Sequence, residues 1–276
     1  MPHSLDSMIK TRLQSFPTLL KVLGPNWLST QLSKKPHEWS LITDWLATLK
    51  ADAAYATADA WLVSVEGSLV LLKQHVTKPT WLQLSKKISE HANREKTKGT
   101  LSEVALALFL VENSLIFEME KKLVTESHKD VDFSIDDPTR CLLNIEVTWL
   151  GEAGSHKRAA EAADGAAFQV DVKKVESRIQ KRLLAKAEKF TTDDITLVAL
   201  NLTDDPGNSA TVASAFTQAL KGGDSAAFAP IDGVIWFELE SAAHLLLKQR
   251  HIVLRADSAK AQTIQHSKFH QAWISL

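Results

Sequence analysis

The chain has 276 residues, 45% of them hydrophobic, enough to bury a sizeable core in one or two domains. Thirty-two Lys and Arg stand against thirty-three Asp and Glu, a formal charge of −1, so no whole-molecule field recruits polyanions and any nucleic-acid site must be local. The stretch MPHSLDSMIKTRLQSFPTLL is broken by charges and by Pro17, giving neither a signal-peptide core nor a spanning segment, and the one cysteine, Cys141, cannot form an internal disulfide. A cytoplasmic protein with no membrane partner is expected.

From about Leu5 to His91, apolar residues recur at spacings of three and four without strand alternation, which predicts a helical region. Gly24-Pro25, Pro36, Gly67 and Pro79 break it into roughly four to six helices. Trp27, Trp39, Trp45, Trp61 and Trp81 fall here and are expected to anchor helix packing; of these Trp81 alone has the basic neighbours a base-stacking platform would need. SKKISEHANREKTKG, from Ser85 to Gly99, reads as a charged linker, either a solvated face or a contact for a polyanion backbone. The predicted domain boundary therefore falls between residues 98 and 99, giving a helical region over 1–98 and a second domain over 99–276.

After Gly99, Thr100 or Ser102 is expected to cap a helix with Glu103 in its first turn and Val104, Ala105, Leu108 and Val111 on its apolar stripe. LIFEMEKKLV follows as a strand. KDVDFSI, Lys129 to Ile135, and CLLNIEVTWL, Cys141 to Leu150, alternate with period two and are separated by DDPTR, so they predict a hairpin. Side chains two apart share a face, which places Asp132 beside Glu146 and Thr148. A loop over Gly151–Gly165, a helix from about Phe168 to Lys189, and the buried strand ITLVALNL come next. TVASAFTQAL predicts a helix, GVIWFEL a strand and SAAHLLLKQ another helix, while residues 257–276 carry no decisive pattern.

Glu103 on the helix, DVDF on the second strand and IEVT on the third, in the order helix, three strands, helix, strand, resemble the PD-(D/E)XK nuclease superfamily over roughly Leu101 to Leu202. The resemblance implies an α/β, restriction-endonuclease-like domain with a central mixed sheet flanked by helices. It further implies a Mg²⁺- or Mn²⁺-dependent phosphodiesterase in which Asp132, Glu146 and the Val147 carbonyl ligate the metal and Glu103 orients water or ion. A hard divalent ion does favour such oxygen ligands and can activate water beside a phosphate.

Thr148 occupies the motif's lysine position and cannot supply its positive charge. Some members of the superfamily look similar in taking the basic group from the following helix. There Val172, Val175, Ile179, Leu183 and Phe190 form an apolar stripe, with Lys186 inside it, Arg182 at its margin, and Lys174, Arg178 and Lys181 well away. Lys186 is thus either a snorkelling lysine or the missing cation. Seven Lys or Arg against two Glu between Val172 and Phe190 suit a local phosphate-binding surface formed by Lys174, Arg178, Lys181 and Arg182. Glu146 shares its face with Leu142 and Leu150, so it is not expected to be a plain solvent-facing residue; a carboxylate there needs a partner or a metal.

Other constellations are weaker. No phosphate-cradling glycine loop and no G-x-S-x-G elbow occur, and His266 and His270, four apart, lack a third ligand. The sequence leaves two functions open. One is metal-dependent cleavage of nucleic acid, with DNA the expected substrate; the other is a degenerate nuclease fold that binds nucleic acid or a protein partner without cutting. A second copy of the chain is a candidate partner in either case.

Overall fold

Prolines, glycines and short polar caps divide the N-terminal region into helices. In the computed structural model, which describes residues 5–90, 93–122, 130–139, 141–150, 172–190, 195–203, 209–223 and 225–275, these are α1 (Leu5–Leu13), α2 (Pro17–Leu23), α3 (Trp27–Leu32), α4 (Leu41–Ala47), α5 (Tyr55–His75), α6 (Lys78–Glu90) and α7 (Arg94–Glu112). Pro17 begins α2, where its missing N–H costs nothing, and Gly24 ends it at φ +76°. The Ser40 hydroxyl caps α4 by accepting from Thr43 N at 3.2 Å. Trp27 and Trp39 are buried, and Trp45 stacks on Trp61 with ring centroids 5.7 Å apart, as packing anchors do.

Two expectations for this region fail. Gly67 does not break a helix; it lies inside α5, where an added Cβ would stand 2.0 Å from the Ala243 carbonyl oxygen. Ser64 Oγ donates to Ala242 O at 2.6 Å and Ser68 Oγ accepts from Leu245 N at 2.9 Å, so this small-residue face of α5 admits a later backbone segment at close range. Nor is Ser85–Gly99 a linker. Residues 85–90 finish α6 and residues 94–99 begin α7, which Asn93 caps by accepting from Lys96 N at 2.9 Å. Thr100 and Ser102, the expected caps, are buried inside α7. A single asparagine side chain positioned on an orphan amide sets the start of this helix, and a glycine in its interior costs only about 1 kcal/mol.

The chain divides into two compact units, Met1–Met119 with Leu239–Lys248, and Glu120–Glu238 with Gln249–Leu276. The 98/99 boundary expected from sequence falls inside α7.

The sheet has six strands in the order β1 (Ile116–Lys122), β2 (Asp130–Asp137), β3 (Cys141–Trp149), β4 (Ile195–Asn201), β5 (Gly233–Ser241) and β6 (Leu245–Leu254). β2 and β3 are antiparallel, whereas β3, β4 and β5 are parallel, so the sheet is mixed and flanked by helices in an α/β fold. The parallel pairs require crossovers, which contain α8 (Val172–Ala187) and α9 (Ser209–Lys221). Both helices pack on one face, where Val175, Ile179, Leu183, Val212 and Phe216 meet Val198, Leu200, Val234 and Trp236. On the other face Phe237 meets Trp273 edge-on at 6.1 Å, from the last of two C-terminal helices, α10 (Ala259–His266) and α11 (Lys268–Ile274).

The hairpin turn is shorter than DDPTR suggests. Asp136 and Asp137 continue β2, with Asp137 opposite Cys141; Pro138 and Thr139 are in the turn, and Arg140 lies outside the described residues. Cys141 is buried, and burial, with Asp137 and Asp232 nearby, pushes its thiol up to about 11. SAAHLLLKQ is not a helix; its Leu and Lys residues enter β6, where ladder pairing overrides helix propensity. Val172, expected in the buried stripe of α8, is exposed. The proposed loop over Gly151–Gly165 and the proposed helix start at Phe168 lie outside the described residues. Among the described residues no helix is long and apolar enough to cross a membrane.

Candidate active site

The site is built from the centre of β2 and β3 and the end of α8. In the antiparallel register Phe133 faces Ile145, which brings Asp132 and Glu146 to neighbouring positions on adjacent strands. In the parallel register Glu146 pairs with Val198, and paired residues share a face; Val198 belongs to the core under α8 and α9. Glu146 therefore projects towards α8 and is 1% exposed. A solvent-facing role for it is ruled out by this burial.

Four groups converge there. Asp132 Oδ2 accepts from Val147 N at 2.9 Å, which fixes one carboxylate against the neighbouring strand. Lys186 Nζ donates to Glu146 Oε1 at 2.6 Å and to the Val147 carbonyl at 3.3 Å. Lys189 Nζ donates to the same Glu146 Oε1. The other oxygen, Oε2, is buried with no hydrogen-bond partner among the described residues. Burial raises the Glu146 pKa above its ordinary value and the charge of Asp132 adds to that, while Lys186 and Lys189 pull it back.

The polar character continues along this face of the hairpin. Asn144 is two residues from Glu146 on β3 and pairs with Ser134 on β2; both are buried, and neither side chain has a hydrogen-bond partner among the described residues. Unpartnered buried polar atoms are costly, and three residues carrying them on one face mark the place as suited to polar ligands or water.

Of the residues singled out from sequence, Asp132, Glu146, Val147 and Lys186 come together. Glu103 belongs to the other compact unit, on α7, where Lys87 Nζ bonds its carboxylate at 2.6 Å. Lys174, Lys181 and Arg182 are exposed along α8, and Arg178 is half-buried. Thr148, at the motif's lysine position, is buried at the β3–β4 pairing, opposite Leu200. The residue that sequence reasoning missed is Lys189. It lies just past the end of α8, where helical spacing sets no direction, so no local pattern marked it.

The donor set suits a hard divalent ion. Magnesium is commonly held by one or two carboxylates while keeping several waters, and here two carboxylates adjoin, one with an orphaned oxygen. Val147 O, the third expected ligand, is engaged by Lys186. No group of three or more His, Cys, Asp or Glu that could hold a metal occurs among the described residues. His266 and His270 are not two ligands on one helix face, because the helix breaks at Ser267, which caps α11. No protein-family model matches the chain, nor does any curated protein.

Proposed function

We propose that this protein is a metal-dependent nuclease of the PD-(D/E)XK type that hydrolyses phosphodiester bonds, with DNA as its substrate. The observation that carries the reading is the buried Glu146 carboxylate, with Oε2 unpartnered among the described residues, beside Asp132 and within reach of a lysine from the following helix. An acid placed so deeply, facing a like charge, is costly to maintain for structure alone.

In this reading Asp132 and Glu146 hold Mg²⁺ or Mn²⁺. The bound ion supplies Lewis acidity and an activated water. Lys186 takes the role that Thr148 cannot, placing an ammonium where negative charge develops on the phosphate. Lys174, Arg178, Lys181 and Arg182 track the phosphodiester backbone along α8.

A second reading, a non-cutting module that binds nucleic acid or a protein partner, is favoured by the engagement of Glu146 and the Val147 carbonyl with the chain's own lysines. The two part on one comparison. Cleavage of supercoiled and single-stranded DNA is expected in Mg²⁺ or Mn²⁺ and none in EDTA; DNA binding with no cleavage, equal in metal and in EDTA, would make the second reading the right one.

A further inference from the structure

Resting on the nuclease reading, we propose that Lys189 is a built-in counter-cation: it occupies Glu146 in the metal-free protein and is displaced from it when a divalent ion enters. Lys189 is a positioning residue, acting through Glu146.

Two ammonium groups converge on one carboxylate oxygen, Glu146 Oε1, while Oε2 has no hydrogen-bond partner among the described residues. Two donors on one oxygen supply far more positive charge than one carboxylate requires, yet they leave half of its acceptor capacity unused. A divalent cation bound at Glu146 would supply the same two positive charges that the pair of lysines brings to it.

The two lysines are not equivalent. Lys186 lies within α8 and has a second acceptor, the Val147 carbonyl. Lys189 lies beyond the last residue of α8, in a turn whose amide donates to Lys186 O at 3.0 Å, and its side chain's acceptor among the described residues is Glu146. Its side chain is 23% exposed, about as much as that of Lys186 at 21%, so either ammonium can reach water, and what sets Lys189 apart is its place past the helix end and the second acceptor that Lys186 has. Lys186 is therefore the cation that stays beside the reaction, and Lys189 is the one that leaves. Metal binding and the Lys189–Glu146 pair compete for one carboxylate.

The test is Mn²⁺ binding to the full chain, followed by electron paramagnetic resonance, in parent, Lys189→Met, Lys189→Arg, Lys173→Met and Glu146→Gln. Lys189→Met should tighten Mn²⁺ binding about tenfold or more, the scale expected when a unit charge a few ångströms from the ion is removed from a half-buried site. Lys189→Arg should behave as the parent. Lys173, exposed on α8, reports the effect of net charge alone, and its loss should change the affinity less than about twofold. Equal affinities in parent and Lys189→Met, with binding abolished by Glu146→Gln, would overturn the counter-cation and leave the nuclease site standing. Mn²⁺ binding that ignores Glu146→Gln would remove both. A second readout holds even if Lys189→Met does not fold: amine acetylation of the parent, mapped by mass spectrometry, should modify Lys189 about fivefold faster with Mn²⁺ than without, because an amine held against Glu146 is shielded from the reagent and one turned out to water is not. Unchanged Lys189 reactivity at saturating Mn²⁺ would also overturn the proposal.

Discussion

The two ends of one hairpin handle a buried acid in opposite ways. At the turn, Asp137 is 1% exposed and, among the described residues, it accepts from fixed or short-tethered donors: Thr139 N at 3.0 Å and Oγ1 at 2.7 Å, Lys268 N at 3.1 Å, and Phe269 N at 2.8 Å. Burial alone would raise its pKa, but these hydrogen bonds prevail and hold it below the ordinary carboxylate value. Further along the same ladder, Glu146 is equally buried, yet among the described residues it is met by two flexible ammonium groups on one oxygen and by no hydrogen-bond partner on the other. Its pKa moves up instead. Backbone amides cannot leave, and they serve an acid whose work is to hold the chain together. Lysine side chains can leave, and they suit an acid whose partner changes.

The largest effect should come from the acids themselves. Asp132→Asn and Glu146→Gln each keep the shape of the side chain and remove one charge, and each should lower Mg²⁺-dependent cleavage by about 10³-fold or more under the nuclease reading. Circular dichroism and melting should show a folded protein in both cases, since Lys186 and Lys189 are partly exposed and can turn to water once Glu146 loses its charge. Parent-like cutting by either variant would place the chemistry elsewhere.

Next in size is Lys186→Met, expected to lower cleavage by about two to four orders of magnitude at saturating substrate and metal, the loss typical of a charge-stabilising group. Its stability should fall only slightly, because Lys189 still pairs with Glu146. Lys186→Met with Lys189→Met differs: it strands a buried carboxylate, and the combined loss should exceed the sum of the single losses by at least about 1 kcal/mol. Additive losses in urea melts would mean that neither lysine compensates for the other at Glu146.

Asp137→Asn probes the other end. Removing a charged acceptor that bonds several donors should cost about 1.5–3 kcal/mol for each strong bond weakened, with no change in cleavage per folded molecule. The pH dependence has a definite sign. Because the folded pKa lies below the ordinary 3.8, the unfolded chain binds the proton more readily, so this contribution is complete above that value and is lost as pH falls through the folded pKa. The parent's melting temperature should therefore drop faster than the variant's as pH is lowered below about 4, and the two should converge. Parallel curves would mean that Asp137 is not the acid-sensitive group at the turn.

Much of this arrangement was legible in the sequence. Alternation in VDFSI and NIEVT placed Asp132 beside Glu146, and the three-and-four spacing of Val175, Ile179 and Leu183 turned Lys186 towards the sheet. Lys189 escaped because it lies past the end of the helix, where helical spacing no longer guarantees a direction. The bonds to Asp137 were invisible for another reason. Its partners Lys268 and Phe269 are more than a hundred residues away, and no local pattern announces which loop acid will meet which helix start. The strand β6 was misread because Leu, Lys and Gln favour helices locally, while the open edge of a neighbouring strand decides the outcome.

The smallest expected effect is also the one that separates recognition from chemistry. Lys181 is exposed on α8, away from the apolar stripe of Val175, Ile179 and Leu183. If α8 follows a phosphodiester backbone, Lys181→Met should remove about one phosphate contact and reduce the slope of log affinity against log salt by about 1, weakening all DNA sequences alike. Because its ammonium is not among the groups that meet Glu146, saturating substrate should restore the parent's rate constant and Mn²⁺ affinity should not move. The parent slope itself should be shallow, since a chain with formal charge −1 can offer only local basic surfaces, of which this face of α8 is one. A salt-independent affinity in the parent, or an unchanged slope in the variant, would take DNA off this face of α8 while leaving the Glu146 site untouched, and the search for the substrate's track would pass to another surface of the same unit.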